Sequence, residues 1–223
     1  DGTTTKSYGL TVTRLSSQSI TAVSTPGTVL VGSSSTLSST GSSGSGVVSY
    51  SQVSGPCTVT GSTLTGTGSG TCVVTASIAA DGTYDAATSA PLSVAITQST
   101  DATLSNLLLS SGSLSPSFTG STTSYTASVG NGVTSLTVTP TVNESHATVK
   151  VNGTTVASGS ASGSIGLSVG SNTITTVVTA QDGTTTKSYG LTVTRLASQS
   201  ITAVSTPGTV VVGSSSTLSS TGS

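Results

Sequence analysis

Charge is what this sequence has least of: five Lys or Arg and six Asp or Glu in 223 residues, for a formal net charge of -1. Ordinary soluble domains carry roughly a quarter charged residues. Five cations spread over such a length cannot build a basic nucleic-acid surface, and the same scarcity excludes an acidic tail or a polybasic membrane anchor. Tryptophan and methionine are absent, and there is one His and one Phe. No apolar run approaches the ~18 residues of a spanning helix, so no membrane span is expected in this segment. What fills the chain instead is 49 Ser, 47 Thr and 27 Gly, more than half of all residues. Disordered chains combine low hydrophobicity with high net charge. Here the net charge is small while Val, Ile, Leu and Thr recur in ordered runs, which reads as a folded protein.

Self-similarity organises the rest. Residues 1–42 reappear as 182–223 at an offset of 181, matching at 40 of 42 positions and differing only at Ser16 against Ala197 and Leu30 against Val211. One period plus 42 residues reads as a window on a longer array. Residues 1–15 are expected to be the last strand of a preceding domain, and 197–223 the start of the next. Between them lie two blocks, 16–98 and 99–196, each near the ~100 residues of a β-sandwich.

Both blocks read as short strands. Tyr189, Leu191 and Val193 alternate with Gly190, Thr192 and Thr194, and Ile174, Thr176, Val178 and Ala180 alternate with Thr175, Val177 and Thr179. That period of two is the mark of a half-buried strand. Leu136, Val138 and Val142 share a face of another. Val47–Gln52, Cys57–Thr60, Thr71–Ile78 and Pro91–Ile96 are the clearest strands of the first block, with Cys57 and Cys72 both on inward faces. Asn152-Gly153 between two such runs predicts a two-residue hairpin, because both central residues of a type I′ turn need positive φ. Asn131-Gly132 and Asp182-Gly183 punctuate likewise. Leu104–Leu109 has some helical spacing, but Ser110–Ser115 ends it after one short run, and it is kept as a strand. The expected fold class is all-β, tandem β-sandwich domains in a repeat array.

From Ala102 to Leu196 the chain resembles the bacterial cadherin-like β-sandwich domain family. The resemblance lies in Leu104-Ser105-Asn106-Leu107, Thr123-Ser124-Tyr125, Gly170-Ser171-Asn172-Thr173-Ile174, Ala180-Gln181-Asp182-Gly183-Thr184 and Tyr189. The first block resembles bacterial immunoglobulin-like repeats through Cys57-Thr58-Val59, Gly70-Thr71-Cys72-Val73-Val74-Thr75-Ala76 and Tyr84-Asp85-Ala86-Ala87. These families imply spacers or adhesive modules in long secreted and surface proteins, hence an extracellular or cell-surface location. They do not bring calcium with them. Such sites need clustered oxygen ligands, and Asp81, Asp85, Asp101, Glu144 and Asp182 are scattered; Asp81 and Asp85 could share an ion or simply mark the corners of a turn.

In a chain that looks secreted, Cys57 and Cys72, 15 positions apart, point to a disulfide, with free thiols or a metal as the alternatives. Nucleophilic catalysis needs a base beside a serine, oriented by a third group. The single histidine, His146, sits in polar Asn143-Glu144-Ser145-His146, so no catalytic residue, cofactor or metal is expected. Asn143-Glu144-Ser145 and Asn152-Gly153-Thr154 match glycosylation sequons. Lys150 and Glu144 could take part in an intramolecular isopeptide bond to Asn. The expected function is a structural repeat of a long fibre, stalk or filament, in surface attachment or matrix formation. Its expected partners are copies of itself in tandem or lateral packing, with surface glycans or matrix as further candidates. A spacer, or a carbohydrate- or receptor-binding adhesin module, is the alternative.

Overall fold

Alternating β-branched and small residues, interrupted every few positions by Gly, Asn or Asp, leave the chain little choice but short strands closed by tight turns. The computed structural model describes residues 2–199, 201–206 and 217–222, the last two stretches as backbone only. Every regular element among the described residues is a strand. The chain divides into two compact units, Asp1–Ser99 and Thr100–Ser223.

In the first unit the strands are β1 Thr21–Thr25, β2 Thr28–Leu30, β3 Ser34–Thr40, β4 Val48–Ser54, β5 Cys57–Thr60, β6 Thr63–Gly66, β7 Gly70–Ile78, β8 Ala87–Thr88 and β9 Leu92–Thr97. They form two sheets, β1-β3-β6-β5 and β2-β9-β7-β4, with β8 paired to β7. All ladders between these strands are antiparallel except β2 with β9, and single parallel bridges join Val31 to Gly66 and Ser16 to Tyr84. Strict alternation along β7 buries Cys72, Val74, Ala76 and Ile78. Leu37, Leu64, Val94 and Ile96 close over the cysteines in one cluster, and Ile20, Ala22, Ala76 and Ile78 form a second. This is a two-sheet sandwich of the immunoglobulin-like kind.

In the second unit the strands are β10 Leu104–Leu109, β11 Ser124–Val129, β12 Ser135–Leu136, β13 Val138–Val142, β14 Thr148–Val151, β15 Thr154–Val156, β16 Ile165–Gly166, β17 Gly170–Thr179 and β18 Thr186–Arg195. The main sheet runs β11-β18-β17-β14-β15, and β10-β13 and β12-β16 form the smaller pairs. The long β17–β18 ladder is its spine, and β11 lies parallel to β18 on the other side. Tyr125, Tyr189, Leu104, Leu136, Val138, Val142, Ile174 and Val178 fill one continuous core.

Two local findings refine the sequence reading. Asn152 and Gly153 have φ of 46° and 83°, joining Val151 to Thr154 across the β14–β15 hairpin as a type I′ turn requires. Gly132 does not adopt positive φ, so Asn131-Gly132 makes a different turn. In β10 the buried residues Leu104 and Leu107 are three apart, the spacing of a helix rather than a flat strand. A register shift between Leu104 and Asn106 supplies the extra residue, and a bulge of that kind turns side chains to the same face.

The remaining strands, β19 Ile201–Thr206 and β20 Thr217–Gly222, form an antiparallel hairpin. Thr202 faces Thr221, Ala203 faces Ser220 and Thr206 faces Thr217. One period earlier, Thr21 faces Thr40, Ala22 faces Ser39 and Thr25 faces Thr36. The repeated sequence therefore rebuilds the same hairpin in the same register. The rest of the reading of 197–223, at Ser200, 207–216 and Ser223, lies outside the described residues.

Candidate functional site

Cys57 and Cys72 are bonded, with Cα atoms 5.8 Å apart. Because Cys57 is on β5 and Cys72 on β7, the bond joins the two sheets of the first unit through its core. No free cysteine remains among the described residues.

The acidic residues are occupied with turns. Asp81 accepts the N–H groups of Thr83 and Tyr84 on one oxygen and that of Ser45 on the other. These bonds, Thr83 first, lower its pKa from 3.8 to about 2. Asp182 is held at about 2 in the same way, chiefly by the Thr185 hydroxyl and then the Thr185 and Thr184 N–H groups. Asp101 accepts from Thr103 and from Asn143 Nδ2, and the two side chains lower its pKa too. A carboxylate that collects backbone N–H groups is a turn-former. Among the described residues no three His, Cys, Asp or Glu gather to hold a metal.

Glu144, Ser145 and His146 are close but wrongly disposed for nucleophile activation. His146 Nδ1 lies 2.8 Å from Glu144 Oε1 and 3.4 Å from the Ser145 hydroxyl. A relay needs the acid and the nucleophile on opposite ring nitrogens; here both meet the same one. Lys150 faces solvent on β14, and Glu144 is engaged with His146, so neither stands in the buried setting that isopeptide chemistry uses. Of the two sequon side chains, Asn143 donates its Nδ2, the atom a sugar would join, to Asp101, whereas Asn152 is engaged through Oδ1, which accepts from the Thr175 N–H.

The most informative arrangement surrounds β18. Tyr189 is buried, its hydroxyl accepting from the Leu104 N–H and donating to the Gly120 carbonyl, each at 3.0 Å. Lys187 Nζ reaches the same carbonyl at 2.7 Å, 5.4 Å from the Tyr189 ring centre. Arg195 donates to the carbonyls of Asn131 and Leu167. With Leu191 and Val193 in the core, this one strand is pinned at both ends and along its middle.

Residues Thr5–Arg14 have the identical sequence, Thr-Lys-Ser-Tyr-Gly-Leu-Thr-Val-Thr-Arg. Their surroundings are the opposite. Tyr8, Leu10 and Val12 are 88%, 87% and 82% exposed, while Tyr189, Leu191 and Val193 are 1%, 3% and 0% exposed. Residues 2–15 join no sheet. The sequence reading found the strand character of both copies but missed the anchoring roles of Lys187, Tyr189 and Arg195. The signal was their recurrence as Lys6, Tyr8 and Arg14 in a chain with almost no other cations.

A second surface feature is what the sheet margins omit. Strands β1, β5, β2 and β4 bound the first unit's sheets, and β11 and β15 bound the main sheet of the second. None of these six strands contains a charged residue.

Over 87 residues the chain is 42% identical to a protein of Evansella cellulosilytica whose name assigns it provisionally to a membrane. The match covers 39% of this chain and 13% of that protein, so this chain spans a small part of its relative. No helix among the described residues is long and apolar enough to cross a membrane. Solved structures with similarity include domains 4 and 5 of the S-layer protein SbsC (15% identity, TM-score 0.31, covering 80% of this chain and 98% of that one). The first two extracellular domains of human protocadherin-24 are similar at 12% identity and TM-score 0.28, with the same coverages. Fibronectin(III)-like modules of Clostridium thermocellum CbhA are similar at 16% and 0.24, covering 75% and 89%. Residues 99–196 match the family described as the cadherin-like beta sandwich domain.

Proposed function

We propose that this chain is a structural repeat segment of a long extracellular fibre, stalk or filament, acting in surface attachment or matrix formation. The observation that carries the reading is the 181-residue recurrence, which rebuilds one hairpin in one register at both places where it is described. A unit that repeats its fold along the chain builds length rather than a pocket. The inter-sheet disulfide suits an oxidising, extracellular setting.

Uncharged margins extend the proposal to lateral packing between copies. Soluble sheet proteins commonly guard their edges with Lys or Pro; six edge strands here carry no charge. Contacts made by hydroxyls and backbone groups are insensitive to ionic strength, so assemblies should persist in 1 M salt, a concentration that screens charge to about 3 Å. Disassembly in salt without denaturant would contradict lateral packing. The carbohydrate-platform reading has one exposed aromatic, Tyr8, and it belongs to residues 2–15, which join no sheet that could present it as a platform. Tyr125 and Tyr189 are buried, and Phe118 stacks on Tyr125 with ring centres 5.8 Å apart. Electron microscopy of native material tests the choice between filament and isolated spacer. Ordered fibres support lateral packing, and single flexible threads support the spacer.

A further inference from the structure

Of the two Asn-x-Ser/Thr sequences, 143–145 and 152–154, the second alone presents the groups that sugar transfer uses. We propose that Asn152, at the tip of the β14–β15 hairpin, is a modification site whose Nδ2 carries an N-linked glycan. The proposal rests on the extracellular reading of the chain, because such acceptor sequences are used on the surfaces of secreted proteins.

At 143–145 both reactive groups are engaged. Asn143 donates Nδ2 to Asp101 at 2.7 Å, and the Ser145 hydroxyl lies 3.4 Å from both Glu144 Oε1 and His146 Nδ1. At 152–154 both are open. The Asn152 amide oxygen accepts the Thr175 N–H at 2.8 Å. A backbone N–H can only donate, so the oxygen must be the atom that faces β17, and Nδ2 is left on the other side of the amide. The Asn152 main-chain N–H also reaches the Thr175 carbonyl at 2.8 Å, so this orientation is held without Nδ2. Neither Asn152 Nδ2 nor the Thr154 hydroxyl has a hydrogen-bond partner among the described residues. Residues 152–154 are exposed, and a methyl group added at Gly153 would meet nothing within 4 Å.

The type I′ turn by itself accounts for Asn at 152 and Gly at 153. It asks nothing of residue 154, and it does not require a free Nδ2. Beside the turn, Asn152 and Thr154 share a groove of about 250 Å³ with Val156, Ile165, Ser162 and Ser164. Pockets that hold free ligands measure roughly 300–1,000 Å³. A first sugar needs less room, because its bond to Asn152 keeps it in place. The C–H face of a sugar ring suits Val156 and Ile165, and its hydroxyls suit the two serines.

Transfer forms a bond from Nδ2 to the anomeric carbon of a lipid-pyrophosphate-linked sugar. The lipid pyrophosphate leaves, and one amide proton passes to the transferring enzyme. The Thr154 hydroxyl completes the acceptor sequence. The product is a bulky, solubilising group on a chain that has only five cationic and six anionic side chains to hold water.

Trypsin separates the two sequences, because Lys150 lies between them: Asn143 falls in peptide 15–150 and Asn152 in peptide 151–187. In protein purified from its natural source, peptide 151–187 should be heavier by at least one sugar residue. Fragmentation should place that sugar on Asn152, and Asn143 should be unmodified. Thr154→Val, made in the same source, keeps the Asn-Gly turn and should lose the sugar. Peptide 151–187 found only at its unmodified mass overturns the proposal, as does a sugar on Lys150, Ser or Thr with Asn152 bare, or a sugar that survives Thr154→Val. The same digest keeps this result apart from the extracellular reading. Cys57 and Cys72 that resist alkylation until reduced, beside a bare Asn152, would remove the glycan alone, whereas thiols free in the native protein would count against the extracellular reading.

Discussion

At the scale of single residues, the hydroxyl of Tyr189 does work that its ring could not. It satisfies the buried Leu104 N–H, and Tyr189→Phe would leave that donor without a partner. The cost of an unsatisfied buried donor is about 1–3 kcal/mol. The ring's packing is kept, so the loss should appear as a lower unfolding midpoint of the second unit, and an unchanged midpoint would refute the assignment. Acid exposes a second residue. Asp81 has a folded pKa of about 2 against an ordinary 3.8. A depressed carboxyl stabilises the fold above its unfolded pKa and loses that contribution as pH falls through the folded one. The first unit should therefore weaken between about pH 3.8 and about pH 2. Asp81→Asn should flatten that part of its acid titration, as followed by hydrogen exchange within residues 16–98; an undiminished slope would show the carboxylate to be idle. This capping role was not legible in the sequence, where Asp81 read equally well as a turn corner or as half of an ion site with Asp85. The N–H groups of Ser45, Thr83 and Tyr84 that decide it come together only on folding.

Elements reveal where pattern is enough and where it is not. Period-two alternation marked β17, β18 and the inward cysteines because each side chain's face follows directly from its parity along the strand. It gave no register between strands, and it could not show that β11 lies parallel to β18. Nor could it foresee the β10 bulge, which gives Leu104 and Leu107 a helix-like spacing. The two Asn-Gly pairs make the same point about turns. Gly153 sits at φ 83° in open space, so Gly153→Ala meets no clash and pays only the left-handed backbone penalty of about 1–2 kcal/mol. Gly132 is equally open and not at positive φ, so Gly132→Ala should be neutral or stabilising by about 0.4–1 kcal/mol. Thermal unfolding of the two variants should separate them, and equal losses would contradict the turn assignment. Between sheets, the Cys57–Cys72 bond spans 15 residues. On the chain-entropy account a loop of that size contributes ~3 kcal/mol. Cys57→Ser/Cys72→Ser should lower the stability of the first unit and leave the second untouched; parallel losses in both units would contradict the division into separate cores.

For the whole molecule, the account is one of repetition. The first unit has a light core of aliphatic side chains stapled once, and the second, whose residues 99–196 match the cadherin-like beta sandwich domain, is closed by a strand with polar anchors at each end. The proposed function class rests on how little the composition leaves for chemistry and on a recurrence of 40 in 42 residues, which has a direct physical meaning. Lateral packing can be probed by guarding the margins. Thr58 on β5 and Thr155 on β15 are exposed edge positions. Thr58→Lys with Thr155→Lys should leave each unit folded and reduce fibre bundling, whereas unaltered bundling would remove the edges from the account.

The central claim is that these two units alternate along one polypeptide with a period of 181 residues. It is tested most directly by partial proteolysis of native protein, resolved by mass after denaturation and reduction. The account predicts a ladder whose rungs are spaced by one 181-residue period, extending well above the 21.3 kDa of this chain. A single species at 21.3 kDa, with no ladder above it, would contradict the array.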